Sequence, residues 1–313
     1  MNGSSRSRRI GIAAGLSAAV CSLLPSCSFH DHPGSASWMP FESVAGPLRP
    51  ESQNLAVQPP AVGAKLRIVT YNIHLGPDIP GLIAAIQGSA QLSTADVFLF
   101  EEIESHPSDG KSQAAMLGEA LGMSYAYAPA WTYPDGGTHG VACLSRFPIT
   151  EPQVLHLPYY ELEGASELRI AIRTTLTIGS KTLRTIALHL DTKLNVNDRL
   201  KQLEPAVELA DPDVVLGGDF NSNPWMWVDR TFPLLPEDAV APIDPAKAID
   251  QVMTYNGFVA PTSTSGTTTN LPAFNARLDS IYARGYRPSG FGVERSVTVS
   301  DHFPVWVDLA WTP

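Results

Sequence analysis

The sequence predicts an α/β domain built in layers, with mixed β-sheets. Stretches with strand character outnumber stretches with helical periodicity by eight to three. Several of the strand stretches are near-continuous apolar runs, such as residues 97–100 and 214–216, and such runs are typical of strands that are covered on both faces of a sheet. With 313 residues, 44% of them hydrophobic and 17% charged, the chain is long enough for one large domain or two small ones.

The individual elements follow from hydrophobic periodicity. The predicted strands lie at 66–72, 96–100, 140–145, 167–177, 182–190, 213–218, 277–283 and 303–310. The predicted helices lie at 79–88, 112–122 and 197–210. No internal boundary interrupts this pattern, so residues 65–313 are predicted to form a single domain.

The first 26 residues have the features of an export signal. They contain three arginines (Arg6, Arg8 and Arg9) and then an apolar run from Ile10 to Leu24, and small residues follow before Cys27. This order matches the positive, apolar and processing regions of a signal peptide. The apolar run has about 15 residues and is shorter than the ~20 that span a bilayer, although an uncleaved membrane anchor remains the alternative.

Cys27 is the predicted site of lipidation. The tetrapeptide Leu24-Pro25-Ser26-Cys27 resembles a bacterial lipoprotein cleavage box, in which the cysteine becomes the acylated first residue. On this interpretation the protein is exported to the bacterial cell envelope, and Cys143 has no partner for an intramolecular disulfide. Residues 27–64 are rich in Pro and Ser and are predicted to be a semi-extended tether.

The charge disfavours one class of partner. The formal net charge is −10, and removal of the three arginines of the signal would make it about −13, on the ordinary charges of the side chains. General nucleic-acid binders gain affinity by placing Lys and Arg on phosphates. The acidic balance therefore argues against such a binder, but a nuclease whose positive charge comes from a bound metal stays possible.

Polar side chains lie at or beside the ends of six of the predicted strands. They are Asn72, then Glu101 with Glu102, His189 with Asp191, Asp219 with Asn221, Asp279, and Asp301 with His302. Any one of them alone could be a turn or surface residue. A single site for a metal and a phosphate would explain all six together, because carboxylate and amide oxygens are the ligands that Mg²⁺ prefers.

The ordered set of motifs resembles the endonuclease/exonuclease/phosphatase superfamily. The motifs are TYNIHLG, DVFLFEEI, GVACLSRFPI, ELRIAI, TIALHLD with Arg199 and Gln202 after it, VVLGGDFNSNP, RLDSIYAR and VSDHFPV, between Leu66 and Leu309. The resemblance implies a four-layered α/β sandwich, in which two mixed sheets pack face to face with helices outside. It also implies a metal-dependent phosphoesterase. In this chain Glu101 stands where Gln is usual in the superfamily.

The resemblance implies a role for each matching residue. Glu102 would be the principal carboxylate ligand of Mg²⁺ or Mn²⁺, with Asn72 and Asp301 beside it. Asp219 would orient or deprotonate the attacking water. The remaining catalytic and phosphate-binding residues would be Asn221, His189, Arg169 and His302, with His302 held as an imidazolium by Asp279.

The resemblance leaves the substrate open. Trp131, Trp225 and Trp227 lie in predicted loops, where they either fill the core or form an apolar wall beside the site. With a lipid anchor, such a wall suits a phospholipid or another amphiphilic phosphodiester, and we expect a monomer that acts at a membrane. The alternatives are a secreted deoxyribonuclease and a non-catalytic binding lipoprotein.

Overall fold

The domain is a four-layered α/β sandwich, as the resemblance implied. The computed structural model describes residues 31–55, 63–74, 78–161, 167–228, 232–236, 243–272 and 274–311. Within these residues two large mixed sheets pack against each other, and helices cover the outer face of each. The predicted export signal and Cys27 lie outside the described residues.

Seven strands form the first sheet among the described residues, in the order β16-β17-β4-β5-β7-β6-β3. They are β3 (Glu51–Gln53), β4 (Lys65–Asn72), β5 (Val97–Ser105), β6 (Ser124–Thr132), β7 (Thr138–Ser145), β16 (Pro288–Val293) and β17 (Val305–Ala310). Strands β4 and β5 are parallel, and the other neighbours are antiparallel. The parallel pair places the C-terminal ends of β4 and β5 at the same edge of the sheet.

Six strands form the second sheet in the described part of the chain, in the order β15-β12-β11-β10-β8-β2. They are β2 (Met39–Pro40), β8 (Ile149–His156), β10 (Ile170–Ile178), β11 (Lys181–His189), β12 (Val214–Asp219) and β15 (Asp279–Arg284). Here β11 and β12 are the parallel pair. Two further pairs stand apart from the large sheets, β1 (Asp31–His32) with β9 (Tyr159–Tyr160) and β13 (Trp225–Val228) with β14 (Phe232–Pro236).

Alternation along the strands separates the buried layers. Ile68 and Leu99 point into the core between the sheets, whereas their neighbours Val69 and Phe98 point into the core under the helices. The helices are α1 (Ile79–Gly88), α2 (Gln113–Leu121), α3 (Val196–Glu208) and α4 (Pro245–Tyr255). Helices α1 and α2 cover the seven-stranded sheet, and α3 and α4 cover the six-stranded sheet. Both faces of each sheet are therefore buried, which explains the near-continuous apolar runs.

The segment predicted to be a tether differs from the expectation over residues 31–55. These residues add β1, β2 and β3 to existing strands, and Phe41 is buried in the core between the sheets. The Trp38 indole nitrogen donates to the Leu209 carbonyl at 2.9 Å. Proline stops regular periodicity but is tolerated at strand edges and turns, so a proline-rich segment without periodicity can still pack onto a sheet.

Other elements differ less. The three predicted helices are confirmed to within two residues at each end, and Cys143 is free and buried. Strands β6, β8 and β16 and helix α4 were not predicted. Within the described residues, no helix has both the length and the apolar composition needed to cross a membrane.

Candidate active site

Strand register brings the predicted polar residues to one edge of the sandwich. His189 at the end of β11 is paired with Asp219 at the end of β12, and Asp219 is paired with Asp279 at the start of β15. Asn72 at the end of β4 lies across from this row, and its amide nitrogen donates to Asp219 Oδ2 at 2.9 Å. This hydrogen bond joins the two sheets at the place where both parallel pairs end.

Gly218, directly before Asp219, allows β11 and β12 to approach closely. A Cβ atom on Gly218, whose φ is +158°, would lie 1.9 Å from the Leu188 carbonyl oxygen. No real side chain tolerates such a distance, so the position requires glycine. Gly218 thus serves the packing that sets Asp219 beside His189.

Glu102 lies in a β-bulge of β5. The register with β7 shifts between Glu101 and Ile103, and Glu102 has a φ of +60°. A bulge redirects a side chain, and a non-glycine residue in the left-handed region is strained unless its surroundings hold it there. The Glu102 carboxylate accepts from the Asn72 amide nitrogen at 3.1 Å, so the bulge turns this carboxylate into the site.

Asp301 reaches the same place from the loop before β17. Its carboxylate lies 3.4 Å from His74 Nδ1, and the backbone nitrogen of His74 donates to Asn72 Oδ1 at 2.9 Å. The Ser300 hydroxyl donates to the Asn72 carbonyl at 2.9 Å. Asn72 is thus linked to Glu102 directly and to Asp301 through His74, and their role as metal ligands stays a prediction.

Asp219 is a buried carboxylate at the centre of the site. Its Oδ1 accepts from the Asn221 backbone nitrogen at 2.7 Å, and its Oδ2 accepts from Asn72. Burial and the nearby Asp279 charge raise the pKa of Asp219 from 3.8 to about 6, against the opposite effect of His302. A carboxylate with a pKa near neutrality is well matched to accept a proton from water.

His302 carries a positive charge. Its Nδ1 donates to Asp279 Oδ2 at 2.8 Å, and its Nε2 lies 3.9 Å from Asp219 Oδ2. Burial opposes the charge, but the carboxylates of Asp279, Asp219 and Asp301 outweigh burial and raise the pKa of His302 from 6.5 to about 10. The Thr268 hydroxyl also donates to Asp279 Oδ2, at 2.6 Å.

His189 has the opposite environment. Its Nδ1 lies 3.1 Å from Arg169 Nη1, and its Nε2 lies 3.0 Å from the Asn221 amide nitrogen and 3.4 Å from Asp219 Oδ2. Burial, followed by the charge of Arg169, holds the pKa of His189 well below its ordinary value. His302 and His189 thus differ in charge within the same site.

Arg169 was predicted to contact the substrate phosphate. The side chain is buried, with 5% of its surface exposed. Its guanidinium faces His189 and forms an ion pair with Glu167 at 2.5 Å. Arg169 thus contacts the Nδ1 side of the His189 ring, opposite the Nε2 side that faces Asn221 and Asp219.

The donor set fits a divalent cation. Glu102 and Asp301 offer carboxylate oxygens, and Asn72 Oδ1 has a second lone pair besides the one that accepts from His74. Asp219 and the buried Glu101 are further carboxyl groups in this region, and burial together with the charge of Asp279 raises the pKa of both. A cation at Glu102 and Asp301 would favour the ionised form of the carboxyl groups near it.

A second cluster is close enough to hold a metal but has the wrong chemistry. Within the described residues, potential ligand atoms of Asp219, Asp279 and His302 all lie within 4.8 Å of one another. An imidazolium has no free lone pair for a metal, and His302 is held in that form by Asp279. With His302 charged, this cluster holds a proton in place of a metal.

Several residues of the site were not predicted to belong to it. Thr268 contacts Asp279 and His74 contacts Asp301, and Thr268 comes from a Ser/Thr-rich stretch with no periodicity. Arg199 and Gln202, which follow the TIALHLD motif, stabilise the loop after β11 by hydrogen bonds. Arg199 donates to backbone carbonyls of that loop, and Gln202 Oε1 accepts from the Asp191 backbone nitrogen at 2.7 Å.

A row of rings leads away from His189 along β7, β6 and the turn that joins them. His139 lies 6.4 Å from His189, Trp131 stacks on His139 at 4.8 Å, and Tyr133 packs edge-on against Trp131 at 4.5 Å. Trp131 and Tyr133 are half-buried. Trp225 is also half-buried, whereas the side chain of Trp227 lies outside the described residues.

Comparison with known proteins identifies the family. The model of the "Endonuclease/Exonuclease/phosphatase family" matches residues 69–302, which include every predicted site residue except Cys27. The chain belongs to this family. Members of the endonuclease/exonuclease/phosphatase family are hydrolases that act on phosphoester bonds and are generally dependent on divalent metals. No curated protein matches the chain.

Solved structures of the endonuclease/exonuclease/phosphatase fold are similar throughout the domain. A family protein from Leptotrichia buccalis has 16% identity and a TM-score of 0.58, and the match covers 79% of this chain and 100% of that one. A family protein from Bacteroides vulgatus has 14% identity and a TM-score of 0.56, with 80% and 100% covered. A mannosyl-6-phosphatase from Bacteroides thetaiotaomicron has 18% identity and a TM-score of 0.53, with 79% and 100% covered. At these identities the likeness establishes the fold alone.

Proposed function

We propose that this protein hydrolyses a phosphodiester that carries an apolar or glycosyl group, by attack of a water that Asp219 activates. The observation that carries the proposal is the contact of Asp219 with three partners, the Asn72 amide, the Asn221 backbone and the charged His302. Phosphoester hydrolysis needs a positioned base and positive charge beside the phosphate oxygens. Both are present within one hydrogen-bonded cluster.

Each side chain has a distinct task in this proposal. Asp219 accepts the proton of the water, and Asn72 and the Asn221 backbone fix the orientation of its carboxylate. His302 donates from Nε2 to a phosphate oxygen while Asp279 keeps it charged. His189 donates to the phosphate from the other side, where the Asn221 side chain lies beside its Nε2 at 3.0 Å.

Glu102, Asp301 and Asn72 would hold Mg²⁺, or Mn²⁺ in its place. A bound divalent ion neutralises charge on a non-bridging phosphate oxygen and acts as a Lewis acid, which contributes several kcal/mol to catalysis. The strained bulge at Glu102 supports this role, since strain of this kind persists where function requires the geometry.

The surroundings of the site favour an amphiphilic substrate over nucleic acid. Glu104 and Asp135 flank the row of rings, and His106 bridges their carboxylates at 3.2 and 3.1 Å. A polyanion such as DNA would be repelled by these carboxylates and by the acidic net charge. Trp131 and Tyr133 offer apolar surface, which gains about 25 cal/mol per Å² buried.

A substrate panel tests the proposal. Bis-p-nitrophenyl phosphate, p-nitrophenyl phosphate, plasmid DNA and phospholipid vesicles are each incubated with Mg²⁺, Mn²⁺ or Ca²⁺. We expect metal-dependent cleavage of the small diester and of a lipid diester, with loss of activity in Asp219→Asn. Plasmid DNA cleaved faster than every other substrate would show a deoxyribonuclease, and no hydrolysis with any metal would show a binding protein.

The tryptophans provide a second test. We expect Trp225→Ala with Trp227→Ala to lose the preference for the lipid diester over DNA. Trp306→Ala is the matched control, because Trp306 packs under the Arg67 guanidinium in the seven-stranded sheet. A preference that is insensitive to Trp225 and Trp227 would mean that these side chains only fill the core.

We also propose that the protein acts at a membrane of the bacterial cell envelope, to which a lipid on Cys27 anchors it. The support is the order of charge, apolar run and cysteine in residues 1–27. Such an anchor would bring the site close to amphiphilic substrates.

A further inference from the structure

His189 lies between two hydrogen-bond donors. Arg169 Nη1 approaches Nδ1 at 3.1 Å, and the Asn221 amide nitrogen approaches Nε2 at 3.0 Å. A neutral imidazole accepts at one nitrogen only, and an imidazolium accepts at neither. The two donors therefore compete, and each favours a different tautomer of the ring.

Asn221 cannot easily give way by rotating its amide. The same amide nitrogen donates to the Leu190 carbonyl at 2.8 Å, and a rotated amide would point its oxygen at that carbonyl. Asn221 is thus a fixed donor that favours a proton on Nδ1 of His189.

Arg169 is the stronger donor of the two. A guanidinium has no acceptor atom, so an N–H on Nδ1 would face the N–H groups of Arg169. Hydrogen bonds from charged donors are roughly twice as strong as those between neutral groups. Arg169 is itself held in place by burial and by its ion pair with Glu167.

We infer that Arg169 is a positioning residue that fixes His189 in the tautomer with its proton on Nε2, against the opposing preference of Asn221. The Nε2–H then points toward Asp219 Oδ2, 3.4 Å away, on the side where the phosphate would bind. Without Arg169, Nε2 would accept from Asn221 and would no longer offer a proton. The catalytic consequence rests on the proposed function, but the tautomer does not.

The tautomer can be measured without substrate. Two-bond ¹H–¹⁵N correlation spectra of the protein, labelled with ¹⁵N-histidine and kept in MgCl₂, identify the protonated nitrogen of each neutral ring. We expect Nε2–H on His189 in the wild-type protein and Nδ1–H in Arg169→Met. Arg169→Lys keeps a charged donor and should keep Nε2–H.

Arg173 provides the matched control. It lies in β10, four residues beyond Arg169, and also forms an ion pair, with Asp211 at 3.0 Å. Arg173→Met removes the same kind of group from within β10, the strand that Arg169 directly precedes, and should leave the His189 signals unchanged. A wild-type His189 with Nδ1–H, or an Arg169→Met variant that retains Nε2–H, would overturn the inference even if one variant failed to fold.

Kinetics separate positioning from direct phosphate binding. With bis-p-nitrophenyl phosphate, we expect Arg169→Met to lower kcat by at least about 10-fold with little change in KM, as for loss of a proton donor, and Arg169→Lys to restore part of it. A raised KM with unchanged kcat would mean that Arg169 binds phosphate itself and would refute the positioning role. Absence of hydrolysis by the wild-type protein would defeat the proposed function, while the tautomer measurement would still stand.

Discussion

Replacement of Asp279 by Asn tests whether a single carboxylate keeps His302 charged. Asp279 Oδ2 accepts from His302 Nδ1 at 2.8 Å and from the Thr268 hydroxyl at 2.6 Å. Its Oδ1 has no hydrogen-bond partner among the described residues. An asparagine can therefore keep both hydrogen bonds through its oxygen and place its nitrogen at Oδ1, so that the substitution removes charge with little change in shape.

The size of the effect follows from the pKa of His302. Three carboxylates raise it from 6.5 to about 10 although burial opposes the charged form. This difference corresponds to roughly 5 kcal/mol of preference for the imidazolium. Because Asp279 is the first of the three causes that raise the pKa, we expect burial to prevail in Asp279→Asn and the pKa to fall below 6.5.

The sign of the pH dependence is fixed by linkage. A group whose pKa is higher in the folded state stabilises the fold fully below its unfolded pKa, and this stability is lost as pH rises through the folded pKa. For His302 the window runs from 6.5 to about 10. We expect the free energy of unfolding of the wild-type protein to fall through this window by up to about 1.4 kcal/mol per pH unit, and to fall less in Asp279→Asn.

The assays are NMR titration of His302, urea unfolding at several pH values and turnover of bis-p-nitrophenyl phosphate. We expect turnover at pH 7 to fall by about 10²-fold or more, because a preorganised donor to the phosphate is lost. Asp308→Asn is the control for the loss of one carboxylate, because its effect on stability should have the opposite pH dependence. The pKa of Asp308 is lowered by Arg67 and Lys65 despite partial burial, so its contribution to stability is present at neutral pH and is lost on acidification. A wild-type His302 that titrates near 6.5 would refute the reasoning.

Three other predictions concern the metal, the pH profile and the anchor. Glu102→Gln keeps the shape of the side chain but removes a ligand charge, so turnover and Mg²⁺ affinity should each fall by about 10²-fold with no loss of folding. Unchanged activity both in this variant and in the wild-type protein treated with EDTA would contradict the metal site. The profile of kcat/KM should rise with pH as Asp219 loses its proton, at or below its pKa of about 6, and fall as His302 loses its own near 10; a profile with no acid limb down to pH 4 would exclude Asp219 as the base. Cys27→Ser should release the protein from the detergent phase in which the lipidated wild type partitions; equal partitioning of both would argue for an uncleaved apolar anchor or for none.

Strand ends were the part of the site that the sequence could predict. A polar residue directly after a buried apolar run is visible in the chain, and parallel strands bring such residues to one edge of a sheet. Asn72, His189 and Asp219 were found in this way, and the register places them together. The sequence could not show that β4 and β12 belong to different sheets, because that depends on how the two sheets pack.

The missed elements had weaker local signals. Strand β6 contains Pro129, next to a register shift opposite β7, and β16 is a Pro- and Gly-rich strand at the sheet edge. Helix α4 had a readable signal, since Asp244 caps it, Pro245 occupies its first turn, and Ile249 and Met253 form its buried face.

The two histidines show why residue type and spacing do not determine the chemistry of a site. His302 meets the carboxylate of Asp279, which is 23 residues distant in sequence, and becomes a cation. His189 meets the guanidinium of Arg169, which directly precedes β10, and stays neutral. A polar residue at a strand end is therefore a prediction of position only. The charge of such a histidine decides whether it can neutralise a phosphate oxygen or only donate a hydrogen bond to it. That charge depends on which side chain the folded sheets bring to Nδ1, the ring nitrogen that faces away from the phosphate.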